Sequence, residues 1–169
     1  MTITKQTIKL KNYSDVSNEY AAASAVTPGE LIEMTSAGTV QAHSSEGGNV
    51  IPMFAVEDAM QGKGIDDDYA TGDRVKCWTP TRGDEVNAVL EDGETVNIGD
   101  FLVSNGTGYL QKLVDVEISS QAADTVYPAS IVGIALEYKD LSGSSGEGSA
   151  GESSIGTLGF NKRIQIRVI

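Results

Sequence analysis

The side chains most capable of chemistry are few in this chain. It holds one cysteine, Cys77, and one histidine, His43. A Cys–His nucleophilic pair is arithmetically open, but an internal disulfide is not, and single copies cannot build a Cys/His zinc cluster. Nothing in the spacing brings the two together, so the expectation is a half-buried strand cysteine and a loop histidine. Carboxylates are abundant and recur after glycine, in Gly29-Glu30, Gly72-Asp73, Gly83-Asp84 and Gly99-Asp100. Paired carboxylates can act as acid and base in glycoside hydrolysis where a pocket perturbs one of them. At the start of a strand, however, glycine supplies the positive φ of a turn and the acid caps it, a water-facing structural role. Asp66-Asp67-Asp68 lacks the alternating spacing and distal Glu of a calcium loop. Gly62-Lys63-Gly64 is a fragment of a phosphate loop without the rest of the motif, and no Gly-x-Ser-x-Gly elbow occurs. Trp78 could stack on a sugar ring but reads better as a core plug. No catalytic residue, metal site or cofactor is expected.

The elements that must hold these residues read as short strands. Residues 74–78 (RVKCW) and 85–89 (EVNAV) alternate, as do 2–4, 7–10 and 164–169, the last with Ile164, Ile166 and Val168 on one face. Thr27-Pro28-Gly29 fits a type II turn, and Asp92-Gly93 between two β-prone runs predicts a hairpin across 90–95. Helix is expected only as single turns within 14–25 and 56–60, because no stretch keeps a 3.6-residue period. The chain also repeats itself. Residues 29–42 (GELIEMTSAGTVQA) and 99–112 (GDFLVSNGTGYLQK) share Gly-acid, two apolar residues, a second Gly nine positions on, and Gln41 or Gln111. Downstream, Phe54-Ala55-Val56-Glu57 echoes Ile134-Ala135-Leu136-Glu137. A unit of about 70 residues indicates a duplicated half-barrel rather than a solenoid.

The charge is distributed unevenly. The 169 residues carry 24 acidic and 12 basic side chains, a net of −12. Residues 1–12 hold Lys5, Lys9 and Lys11 and no acid; residues 160–169 hold Lys162, Arg163 and Arg167 and no acid. The body between them keeps 6 basic residues against all 24 acids. Such a balance excludes nucleic acid and anionic membrane as partners. No apolar stretch reaches the ~18 residues of a membrane span, and the N-terminus has no apolar core of a signal peptide. The basic ends have two readings: they complete a sheet of their own domain, or one of them is an arm that adds a strand to an acidic partner.

The stretch 27–34, then Gly38-Thr39-Val40-Gln41, then residues 52–57, resembles the head decoration (cement) proteins of tailed bacteriophages. So do Gly72-Asp73-Arg74-Val75, Gly99-Asp100-Phe101-Leu102 and Val132-Gly133-Ile134-Ala135. The resemblance covers roughly residues 20–141 and implies a small β-barrel or β-tulip domain, a homotrimer on the outer surface of the mature capsid, bound to the major capsid protein. The expected organisation is an N-terminal arm over 1–20, a β-domain over 21–141, a Gly/Ser-rich flexible loop over 142–156 and a C-terminal strand over 157–169. Ile3, Lys5, Ile8, Lys9, Leu10 and Lys11 are the expected capsid-binding residues, chosen for strand pattern and isolated positive charge. Such a protein is no enzyme; it is made in the host cytoplasm and ends on the virion. A carbohydrate-binding β-domain and another virion structural protein are the alternative readings.

Overall fold

The computed structural model describes residues 5–13, 15–114, 127–143 and 162–169. These form thirteen short strands and one 3-10 turn, Ala59–Gln61. In chain order the strands are β1 (Lys9–Lys11), β2 (Ser17–Ala21), β3 (Ile32–Met34), β4 (Val40–Ala42), β5 (Phe54–Ala55), β6 (Arg74–Trp78) and β7 (Glu85–Val89). There follow β8 (Thr95–Val96), β9 (Phe101–Ser104), β10 (Leu110–Lys112), β11 (Ile131–Ala135), β12 (Lys139–Asp140) and β13 (Arg163–Val168). The protein is mainly β, as its composition and alternation predict.

The sequence repeat is a structural repeat. Ladders join β2-β6-β5 and β3-β4, and a bridge between Leu31 and Phe54 ties the two sets together. A parallel bridge between Ala22 and Val40 then returns the end of β2 to β4. The larger sheet, β1-β7-β13-β11-β9-β10, repeats this scheme from β7 onward, with a parallel Leu90–Leu110 bridge returning the end of β7 to β10. Unit one is therefore β2-β6-β5-β3-β4 and unit two β7-β13-β11-β9-β10. Each curls until a single bridge joins its outer strands, so neither is a continuously paired barrel. Hydrogen bonds repeat as well. Gly29 N–H donates to Ala55 O (2.7 Å) and Ala55 N–H to Glu30 O (3.1 Å); Gly99 N–H donates to Ala135 O (2.9 Å) and Ala135 N–H to Asp100 O (2.9 Å).

Each unit fills its interior from equivalent positions. Ala22, Ile32, Val40, Ala55, Val75 and Cys77 are buried in unit one, and Leu90, Leu102, Leu110, Ala135, Ile164 and Ile166 in unit two. Unit one uses smaller side chains on four of these positions and compensates with Tyr69, whose hydroxyl donates to Val56 O (2.8 Å). Matched volumes matter because interiors pack as densely as organic crystals. The strict alternation of residues 164–169 places Ile164, Ile166 and Val168 inward, and β13 lies between β7 and β11 of its own chain.

The four Gly-acid turns share one geometry. In each, the acid N–H donates to the carbonyl three residues back and its carboxylate accepts that residue's N–H: Glu30 with Thr27, Asp73 with Ala70, Asp84 with Thr81, Asp100 with Asn97. The glycine between them holds φ of +89° to +97°, a conformation that costs L-residues free energy. Space decides how much more a side chain would cost. A Cβ on Gly72 meets nothing within 4 Å, whereas one on Gly29 comes within 3.0 Å of Asn87 O and closer still to Arg163. Gly72→Ala is expected to cost about 1 kcal/mol and Gly29→Ala at least twice that, read from urea midpoints. Equal midpoints would overturn the steric part of this reading.

Several sequence expectations differ from the structure, among them the water-facing role of the turn acids: Glu30 and Asp84 are buried. The hairpin across 90–95 does not form: both edges of β7 are taken by β1 and β13, so β8 pairs with β12 instead. Residues 17–21, expected within a helical turn, are β2, pulled into extended form by five paired positions on β6. Within the segment 1–20, read as an arm, the described residues include β1 and most of β2, both paired with strands of this chain. The Gly/Ser-rich loop 142–156 lies, from residue 144 onward, outside the described residues, as do residues 157–161.

Candidate interaction face

Both basic ends of the chain meet on one sheet, because β1 and β13 flank β7. The expected contact residues divide there by burial. Ile8 is fully buried in the larger hydrophobic cluster, since its backbone bonds to Glu57 and Asn87 turn the side chain inward. Its side chain is thus a core group of this subunit, not a free contact. Leu10 is half-buried. Lys5 reaches Glu137 (3.3 Å) and Gln165 (2.8 Å). Lys9 pairs with Asp15 and Ser17, and its ammonium lies 5.4 Å from the centre of the Trp78 ring. Lys11 is exposed, its ammonium 5.5 Å from the Tyr13 ring. Ile3 lies outside the described residues. Removing residues 1–12 would strip Ile8 from the core, so truncation cannot isolate a contact.

Sequence reasoning missed the rest of this face. Cross-strand register aligns Lys11 with Glu85, Glu85 with Arg167, Arg167 with Ile134, and Ile134 with Phe101. The Arg167 guanidinium donates to Glu85 Oε1 at 2.9 Å, holding the Glu85 carboxyl below the usual carboxylate range. Farther along the same face, residues 5–8 and the loops at 28 and 65–66 roof the sheet. Only the alternation of the last strand pointed to Arg167; its row partners needed register.

A second cluster is buried. Arg163, on the outward side of β13 yet almost fully buried, donates to Pro28 O (2.7 Å), to Ile65 O and to Asp66 Oδ1 (3.3 Å). Thr27 Oγ1 donates to Asp68 Oδ1 (2.8 Å), and Thr27 N–H to Glu30 Oε2 (3.2 Å). Burial pushes the Glu30 carboxyl up to about 7, and Asp68 adds to the push, against the Thr27 bonds and the Arg163 charge. The equivalent acid of unit two, Asp100, goes the other way: Lys112 at 2.8 Å holds it low. Unit one has Ala42 where unit two has Lys112, so the same turn carries oppositely perturbed acids.

The other candidates take structural places. Cys77 is buried in β6, and burial pushes its thiol up to about 12, far from a nucleophile's range. His43 is buried with Nδ1 2.8 Å from Ser104 Oγ, Nε2 3.3 Å from Asn49 O, and Glu33 3.8 Å away. Because a carbonyl only accepts, Nε2–H donates to Asn49 O. Ser, His and Glu are a triad's residue types, but Ser104 is fully buried and its hydroxyl also accepts Gly106 N–H, so the group ties the two units together. Asp66, Asp67 and Asp68 are engaged by Arg163, Gly64 N–H and Thr27. Lys63 donates to Asp68 O and pairs with Asp73. Among the described residues no group of three His, Cys, Asp or Glu is placed to hold a metal ion. Trp78 is fully buried and offers no ring face to a sugar.

No protein-family model and no curated protein matches the chain. Among solved structures it is similar to the N base of head fiber gp8.5 of bacteriophage phi29. The TM-score is 0.52 at 14% identity, over 92% of this chain and 95% of that one. What the two share is the fold. At that identity their surfaces are free to differ.

Proposed function

We propose that this protein is a structural component of the outer surface of a tailed-phage head: a decoration, or cement, protein that binds the major capsid protein of the mature shell and stabilises it. The observation that carries the reading is the fold shared with a phage head fiber base over nearly the whole length of both chains. The turn-and-strand motifs of residues 27–57 and 72–135 support it, since they resemble decoration proteins. The protein assembles as a homotrimer, and contacts made three at a time raise avidity by about 10²–10⁴ over one contact. Lys5, Lys9, Lys11 and Ile3 take part in capsid binding. The acidic body keeps a densely coated particle soluble.

Co-sedimentation with expanded, undecorated heads tests the reading, with light scattering of the free protein beside it. Saturable pelleting at three copies per lattice site, and a trimer mass in solution, are the expected results. Absence of pelleting overturns the head-surface role, and a monomer mass overturns the trimer.

A further inference from the structure

Resting on the head-surface reading above, we infer that the outward row Lys11–Glu85–Arg167–Ile134–Phe101, exposed at Lys11, Arg167 and Phe101, is the face that docks on the shell, with an acidic protein surface as its partner. The internal duplication supplies the first argument. The same rungs in unit one are Ser17–Trp78–Phe54–Leu31, paired in the same order. There Trp78, Phe54 and Leu31 are fully buried within the larger hydrophobic cluster that unit two dominates. This rung is therefore the surface by which unit one packs on protein. In unit two the equivalent rung is only partly covered: Arg167 and Phe101 are exposed, Glu85 and Ile134 half-buried.

Composition supplies the second. At about 4.8 Å between strands, five strands place the row across roughly 19 Å. Phe101 at one end is 46% exposed, and Tyr13, beside Lys11 at the other, is 70% exposed. Arginine and aromatic residues are the types enriched in the energetic centres of protein interfaces. Charge supplies the third. In the Glu85–Arg167 pair the acid is 14% exposed and the base 45%, so the face presents the cation while Glu85 and Gln165 hold it in place. Lys11 adds a second cation with no carboxylate within 4 Å among the described residues. On a protein of net charge −12 this patch fits a partner of opposite sign.

Arg167→Glu and Phe101→Ser test the docking face against wild type in co-sedimentation at two salt concentrations, with thermal melts to verify folding. Wild type is expected to bind more weakly at high salt. Each variant should lose about tenfold or more in affinity, an effect of the size seen at interface centres, with its melting temperature little changed. If wild type pellets and both variants pellet equally well, the face is wrong and the head-surface role stands. If wild type fails to pellet, the head-surface role itself falls. If Arg167→Glu instead changes the mass of the free protein, the row joins copies of this chain, and docking on the shell is overturned.

Discussion

Glu30→Gln is expected to raise stability at pH 8 by roughly 3 kcal/mol and to abolish a loss of stability that the wild type suffers between pH 4.5 and 7. The folded carboxyl titrates at about 7 against an ordinary value of 4.5. Between those values the folded chain holds a proton that the unfolded chain has released, so unfolding releases it and stability falls as pH rises. The interval, at about 1.4 kcal/mol per tenfold, sets the roughly 3 kcal/mol. For a chain of this length that corresponds to a melting shift on the order of 10 °C. Glutamine keeps an acceptor for Thr27 N–H and removes the buried charge that faces Asp68. The acids held low by partners, Asp15, Asp58, Glu85 and Asp100 among them, lose their contribution only as pH falls below the carboxylate range, so the two regimes separate. Melting curves from pH 4 to 8 decide the matter. Parallel curves for wild type and variant would show that Glu30 ionises normally.

Arg163→Met is expected to cost about 3–5 kcal/mol, the range found when one partner leaves a buried charge cluster. Three groups would lose the guanidinium at once: Pro28 O, Ile65 O and the Asp66 carboxylate. Methionine fills much of the same volume, so the loss reports hydrogen bonds and charge rather than a cavity. The Arg163 charge also favours ionised Glu30, so its removal drives the Glu30 carboxyl higher still. Adding Glu30→Gln should then recover part of the cost, and the double variant should be more stable at pH 8 than Arg163→Met alone. Urea midpoints of the four proteins give the coupling. A loss below about 1 kcal/mol in the single variant would mean that the cluster is solvated rather than dry.

The duplication, the Gly-acid turns and the inward face of the last strand were legible in the residues themselves. Each is a local signal: a glycine where φ must be positive, a carboxylate three residues from an N–H, an alternation of period two. The hairpin at 90–95 failed because Asp92-Gly93 specifies a chain reversal but not which strand edge is vacant. Register decided what no local signal carries. Arg167 and Phe101 are 66 positions apart in sequence and share one row only because β11 stands between their strands. Burial was equally non-local. Glu30 and Asp100 occupy equivalent turns in the two copies of the repeat; burial, with Asp68 beside it, sets the first acid high, and Lys112 sets the second low. Sequence determined the two-fold repeat, the Gly-acid turns and the alternating strands β6, β7 and β13; the tertiary structure alone determined β2, the partner of β8, and which rung was covered and which faced out, because these depend on strand pairing between residues far apart in the chain.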